Sequence, residues 1–111
     1  MADPLPKQIL EEDIPAILKT KPELGKDINA VIHFVVSGPN GGTWTLDATK
    51  DADWVTSGAN GTPKMVVSMS DVDFGKIRAK TLNPNMAAMS GKLKMKPMDM
   101  GLAMKLGKLL G

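Results

Sequence analysis

The chain has 111 residues, 42% of them hydrophobic and 23% charged, with a net charge of +2. That is the length of one domain, with apolar content enough for one core, so wholesale disorder is excluded. With no cysteine and a single histidine, a disulfide scaffold, a thiolate metal site, a cysteine nucleophile and a histidine cluster are excluded too.

Residues 1–7 contain two prolines and no periodicity, and read as a flexible arm ahead of a single domain over 8–111. The start, Met1-Ala2-Asp3-Pro4, lacks the basic and apolar regions of a secretory signal, and no stretch approaches the ~18 apolar residues of a membrane span. Residues 8–28 read as a broken helix. Asp13 is placed as an N-cap with Pro15 inside the first turn, and Ile14, Ile17 and Leu18 share one face. Pro22 opens a second short helix that carries Leu24 and ends between Gly25 and Ile28.

The run Ala30–Val36 is β-branched, aromatic and almost wholly apolar, which predicts a central strand covered on both faces. Gly38-Pro39-Asn40-Gly41-Gly42 is a turn, and Thr43–Asp47 alternates as a hairpin partner should. Trp54–Ser57 and Lys64–Ser70 are two further strands, the latter with Met65, Val67 and Met69 on one face. Ser70 or Asp71 caps a helix that runs to about Lys80, with Phe74 and Ile77 inward. Asn83-Pro84 starts another helix, on which Met86 and Met89 share a face, and Gly91 ends it. Lys92–Lys96 alternates as an edge strand whose lysines discourage edge-to-edge aggregation. Pro97 stops it, and Met98–Leu110 is a terminal helix. The fold class is α+β: a five-stranded, mostly antiparallel sheet, its strands mostly joined by hairpins, with helices on one face.

The charge is polarised. Residues 1–74 hold six lysines against eleven acidic residues, net −5, and residues 75–111 hold seven lysines and Arg78 against Asp99, net +7. Eight of nine methionines lie from Met65 onward. On the terminal helix Gly101, Lys105 and Lys108 cluster on one side, and Met100, Leu102, Ala103, Met104, Leu106, Leu109 and Leu110 fill most of the rest. A surface helix needs an apolar stripe of only ~100°, and this one has roughly twice that. It is therefore either a core helix wedged between layers or one whose second apolar side faces a ligand or a membrane. Methionine suits adaptable apolar walls, and fills core gaps equally well.

No catalytic or metal constellation is recognisable. His33 lies mid-strand among apolar residues with no local partner, as a structural histidine would. Asp71 and Asp73 stand at a helix start, where the dipole favours negative charge. Asp47, Asp51 and Asp53 lack calcium-loop spacing, and SGPNGG lacks the Lys-Ser/Thr of a phosphate loop. The expectation is a non-enzyme without cofactor or metal. Nucleic acid is not expected either, because the lysines have no interleaved aromatics for stacking. A transient anionic membrane surface is the better match for lysines beside methionines.

Four segments carry a family resemblance: SGPNGGTWTLD at 37–47, SMSDVDF at 68–74, NPNMAAMSGKLK at 83–94 and MGLAMKL at 100–106. In order and spacing the chain resembles, over roughly residues 8–110, the sterol carrier protein type 2 domain, or nonspecific lipid-transfer protein family. The resemblance implies a hydrophobic tunnel between sheet and helices that binds fatty acids, fatty acyl-CoA, sterols or phospholipids without catalysis. Carried onto this chain, the implied lining is Phe34, Trp44, Val67, Met69, Phe74, Ile77, Met86, Met89, Met100, Leu102, Ala103, Met104 and Leu106. The chain departs from the family at Lys96-Pro97-Met98-Asp99, one residue longer before the last helix, and in a shorter Gly38–Trp44 hairpin. It ends in Leu109-Leu110-Gly111 and not in a peroxisomal tripeptide, so a cytoplasmic location is expected. The functional expectation is a monomeric lipid-binding and lipid-transfer domain, with the alternative of an accessory module supporting a lipid-metabolising enzyme.

Overall fold

The computed structural model describes residues 5–50, 52–96 and 100–110, apart from the side chains of Pro84, Asn85, Met100, Ala103 and Leu110. In chain order come α1 (Pro6–Gln8), a π-helical turn (Ile9–Asp13), α2 (Ile14–Thr20), α3 (Pro22–Ile28), β1 (Val31–Ser37), β2 (Gly42–Asp47), β3 (Val55–Ser57) and β4 (Met65–Ser70). Then follow α4 (Asp71–Arg78), α5 (Pro84–Met89), β5 (Lys94–Lys96) and α6 (Met100–Leu110).

The five strands form one sheet in the order β3-β2-β1-β4-β5. Three of its pairings are antiparallel; β4 runs parallel to β1. The sheet is thus mostly antiparallel but mixed. β4 is not a hairpin partner of β3, because the chain crosses after β3 to the far edge of β1. β1 is hydrogen-bonded along both edges, which suits its nearly unbroken apolar run. The three-residue strands β3 and β5 form the sheet's edges, and β5 carries the expected lysines.

Register sorts the side chains into two faces. Ser57, Trp44, Phe34, Val67 and Met95 form one row across all five strands, and Val55, Leu46, Ile32 and Met65 form the next. This face is dry: Ile32, Phe34, Leu46, Met65 and Val67 are all buried. The opposite face carries His33, Val35, Thr45, Ser68, Lys94 and Lys96. Val35 there is 40% exposed, so the second face of β1 is covered only around His33, beneath the β3–β4 crossover, and not along its whole length. Its apolar run reflects its central position. The helices lie on the dry face, where Leu10, Ile14, Leu18, Phe74, Ile77, Leu102, Leu106 and Leu109 complete a single core.

The front helix differs from expectation in an instructive way. It begins at Pro6, which is buried, and so takes in part of the expected arm; residues 1–4 of that arm lie outside the described residues. It then runs on to Thr20 without a break. Asp13 has helical dihedrals and makes no capping bond. Pro15 offers no N–H and would crowd the carbonyl four residues earlier. The turn before it widens to a π-helical spacing, in which Ile14 N–H reaches Ile9 O, and the helix continues. Ile14 and Leu18 are buried, as their spacing predicts. Ser70 does cap α4, its Oγ accepting from Asp73 N–H at 3.1 Å. The expected stop at Pro97 and the one-residue-longer entry to α6 lie outside the described residues.

Candidate functional site

The functional candidate is the apolar interior between the dry sheet face and the helices. At its centre Phe34 of β1 and Phe74 of α4 stack, their ring centroids 5.9 Å apart and their planes within 5° of parallel. Val67 and Met69 flank Phe34 on β4, and Leu102, Leu106 and Leu109 of α6, which packs against α2 and α3, are buried in the same core. These last three positions recur at i, i+4, i+7, the spacing of one helix face.

Polar contacts at the rim hold the layers together. The Trp44 indole N–H, from the sheet, donates to Glu11 Oε2 on the π-helical turn at 3.1 Å. Arg78 Nε, at the end of α4, pairs with Asp13 Oδ2 at 3.2 Å. Lys105 Nζ donates to Asp27 O at 2.9 Å, on the last turn of α3, where a cation also meets the negative end of the helix dipole. Asp71 is buried and accepts from Asn40 N–H at 3.0 Å and from Val72 N–H at 2.8 Å. It therefore pins the β1–β2 turn to the head of α4. On the opposite sheet face His33 Nε2–H donates to Asn60 O at 3.0 Å, and Asn60 N–H donates to Thr45 Oγ1 at 2.9 Å. That histidine is a structural residue that ties down the β3–β4 crossover.

The structure brings together eight of the expected lining residues. Phe34, Trp44, Val67, Met69, Phe74, Ile77, Leu102 and Leu106 are all buried members of this one core. Phe34 pairs with Trp44, and register places both on the dry face. Three others stand apart in solvent: Met86 is 63% exposed, Met89 87% and Met104 63%. On α5 the small Ala87 is the residue that turns inward. The side chains of Met100 and Ala103 lie outside the described residues. Sequence reasoning passed over Ile9, Leu10, Ile32, Leu46 and Leu93, which belong to the same interior. Alternation could have found Ile32 and Leu46. Leu10 and Ile9 were obscured by the π-helical turn, whose phase differs from that of an α-helix.

Among the described residues, no group of three or more His, Asp or Glu is placed to hold a metal ion, and no helix is long and apolar enough to cross a membrane.

A one-sided α+β sheet whose dry face and overlying helices enclose apolar side chains defines a two-layer α+β domain. Comparison with known proteins agrees. The model of the SCP-2 sterol transfer family matches residues 8–111, and the chain belongs to that family of lipid-binding and lipid-transport domains. Its fold matches the sterol carrier protein domain 2 of Helicoverpa armigera with a TM-score of 0.78, at 27% identity over 99% of this chain and 92% of the other. The apo form of sterol carrier protein 2 from Yarrowia lipolytica matches with a TM-score of 0.70, at 28% identity over 94% of this chain and 82% of the other. Hydroxysteroid dehydrogenase-like protein 2 of Xenopus laevis is 43% identical over 104 residues, 92% of this chain but 25% of that protein. The chain thus spans about a quarter or less of the length of the curated relatives it matches.

Proposed function

We propose that this domain binds one lipid molecule (a fatty acid, fatty acyl-CoA, sterol or phospholipid) in the interior between the dry sheet face and α4 and α6, and carries it between membranes. The observation that carries this reading is the continuous apolar wall formed by the sheet row Trp44, Phe34, Val67, Met95 and the helix residues Phe74, Ile77, Leu102 and Leu106. The driving force is transfer from water. Each buried methylene contributes about 0.8 kcal/mol, so ~10 methylenes match the ~8 kcal/mol of micromolar binding before any ordering cost. A longer acyl chain has some to spare for parting the core.

The element that yields is α6. Gly101 and Gly107 each lower its helix propensity by about 1 kcal/mol relative to alanine, and its Met104 lies outside the core. The methionines Met65, Met69 and Met95 on the sheet adapt to differently shaped ligands, so selectivity among lipids is weak. The domain supplies no chemistry of its own and acts as a monomer in the cytoplasm. Native mass spectrometry of the purified protein, followed by lipid extraction, tests the proposal. Co-purifying acyl or sterol lipid is expected; an empty protein that also fails to bind a fluorescent fatty acid at micromolar concentration would contradict it.

A second reading is favoured by one specific finding. In the hydroxysteroid dehydrogenase-like relatives the matching region is a minor part of a longer protein. On that reading the domain presents lipid to an enzyme to which it is joined or which it accompanies. Stable co-purification with an acyl- or steroid-handling enzyme distinguishes it from a free carrier.

A further inference from the structure

The chain has five asparagines, and two of them, Asn40 and Asn60, precede glycine. That pairing is reactive. The main-chain nitrogen of the next residue lies within reach of an asparagine side-chain carbonyl carbon, and a glycine there, having no Cβ, leaves the approach unobstructed. Asn40–Gly41 lies in the turn between β1 and β2, and Asn60–Gly61 in the β3–β4 crossover. Both asparagines are exposed, so solvent reaches each of them.

The fold treats the two pairs differently. At the first, the attacking nitrogen is held. Gly41 N–H donates to Gly38 O at 3.0 Å, and Asn40 N–H donates to Asp71 Oδ2 at 3.0 Å. A Cβ on Gly41 would lie 2.1 Å from Val36 O, so this residue is packed against the backbone of β1. Attack there requires the whole turn to open. At the second pair the nitrogen is free. Among the described residues Gly61 N–H has no hydrogen-bond partner, and nothing lies within 4 Å of its would-be Cβ. The Asn60 carboxamide is held only through Nδ2, which donates to Thr56 Oγ1 at 3.1 Å and to Ser57 O at 3.2 Å. Both bonds lie at the exposed surface, where water competes for them.

We propose that Asn60–Gly61 is a site of spontaneous modification, at which residue 60 becomes aspartate or isoaspartate in the folded protein. Gly61 N forms a bond to Asn60 Cγ. The Gly61 N–H proton and the Nδ2 amino group depart together as ammonia and leave a cyclic imide. Water then adds to either imide carbonyl. Cleavage between Gly61 N and Cγ gives aspartate; cleavage between Gly61 N and the main-chain carbonyl carbon gives isoaspartate, whose main chain runs through Cβ and Cγ. Nothing is oxidised or reduced, and water is the only other reactant. The site coincides with the tie of the crossover. Asn60 N–H donates to Thr45 Oγ1 at 2.9 Å, and Asn60 O accepts from the buried His33 at 3.0 Å. In isoaspartate that carbonyl becomes a pendant carboxylate, and the main chain grows by one carbon. His33 then anchors a side group, and residue 60 no longer fixes the path of the crossover. The change falls on the open sheet face, opposite the apolar interior, so it is independent of the carrier reading.

The test is incubation of the purified full chain in mildly alkaline buffer at body temperature, followed by peptide mapping with mass spectrometry and fragmentation that separates aspartate from isoaspartate. Conversion at residue 60 is expected to be at least about fivefold faster than at residue 40, the factor that one hydrogen bond of ~1 kcal/mol on the Gly41 nitrogen supplies. In urea, where neither turn persists, the two rates should draw level. G61A, whose methyl group obstructs the attacking nitrogen, should convert several-fold more slowly than wild type, with residue 40 keeping its rate. In the isoaspartate fraction amide exchange at residues 58–64 should quicken, with exchange in α6 as in fresh protein. Equal rates at the two residues in the folded protein would overturn the proposal. So would faster conversion at residue 40, or conversion of residue 60 in urea alone. Unchanged exchange at 58–64 in the isoaspartate fraction would overturn the assigned loosening of the crossover.

Discussion

Substituting Gly38 by alanine is expected to destabilise the domain far more than a surface glycine change should. Gly38 has φ +102°, a left-handed region in which a Cβ is strained. An added Cβ there would also lie 2.6 Å from Asp71 Cγ and 2.8 Å from its Oδ2, too close to coexist with the carboxylate. Asp71 would have to leave Asn40 N–H and Val72 N–H, two bonds to a charged acceptor worth, at the low end of their net range, about 1.5 kcal/mol each. With backbone strain of ~1–2 kcal/mol, a net loss of about 4 kcal/mol follows, and a Tm lower by ~15 °C. Gly91 supplies the control. Its φ is +80° and nothing lies within 4 Å of its would-be Cβ, so G91A should lose only the strain. Urea unfolding of G38A, G91A, D71A and G38A/D71A separates the parts. If the collision is with the carboxylate, G38A should cost only about 1–2 kcal/mol in the D71A background. Equal losses in G38A and G91A, or additive losses in the double variant, would refute the reasoning.

Other consequences are simpler to check. L106A should destabilise the domain by about 2–5 kcal/mol in chemical denaturation, because Leu106 is buried in the core, whereas the exposed Met104 predicts that M104A stays within ~0.5 kcal/mol. H33A leaves Asn60 O without its donor, and amide exchange in residues 58–64 should quicken with a loss of about 1 kcal/mol. R78A removes a half-buried pair with Asp13 and should cost about 1 kcal/mol at low salt, the difference from wild type shrinking as salt is raised.

Much of the fold was legible because local chemistry and tertiary packing agree. The alternation of Met65, Val67 and Met69, the Ser70 cap and the inward spacing of Phe74 and Ile77 all appear as expected. What stayed hidden depends on partners distant in sequence. No pattern within 65–70 reveals that β4 pairs parallel to β1, which requires the crossover tied by His33 and Asn60. The open face of β1 was invisible because a central edge-paired strand and a doubly covered strand carry the same apolar run. Asp13 has the composition of a cap, but the π-helical turn demanded by Pro15 keeps it inside the helix. For the site, buried aromatic and leucine positions were accessible from periodicity and family resemblance. Met86, Met89 and Met104 were not placed by residue type, since the same side chain serves a core gap and an exposed surface equally well.

The central claim is that lipid occupies the interior under α6, and methyl-detected NMR during titration with a fatty acid tests it most directly. Chemical-shift changes and ligand contacts are expected at Val67, Ile77, Leu102 and Leu106, with Val35 and Val66 on the open sheet face unmoved. Ligand contacts confined to Val35 and Val66, or saturation without change at Leu102 and Leu106, would contradict it.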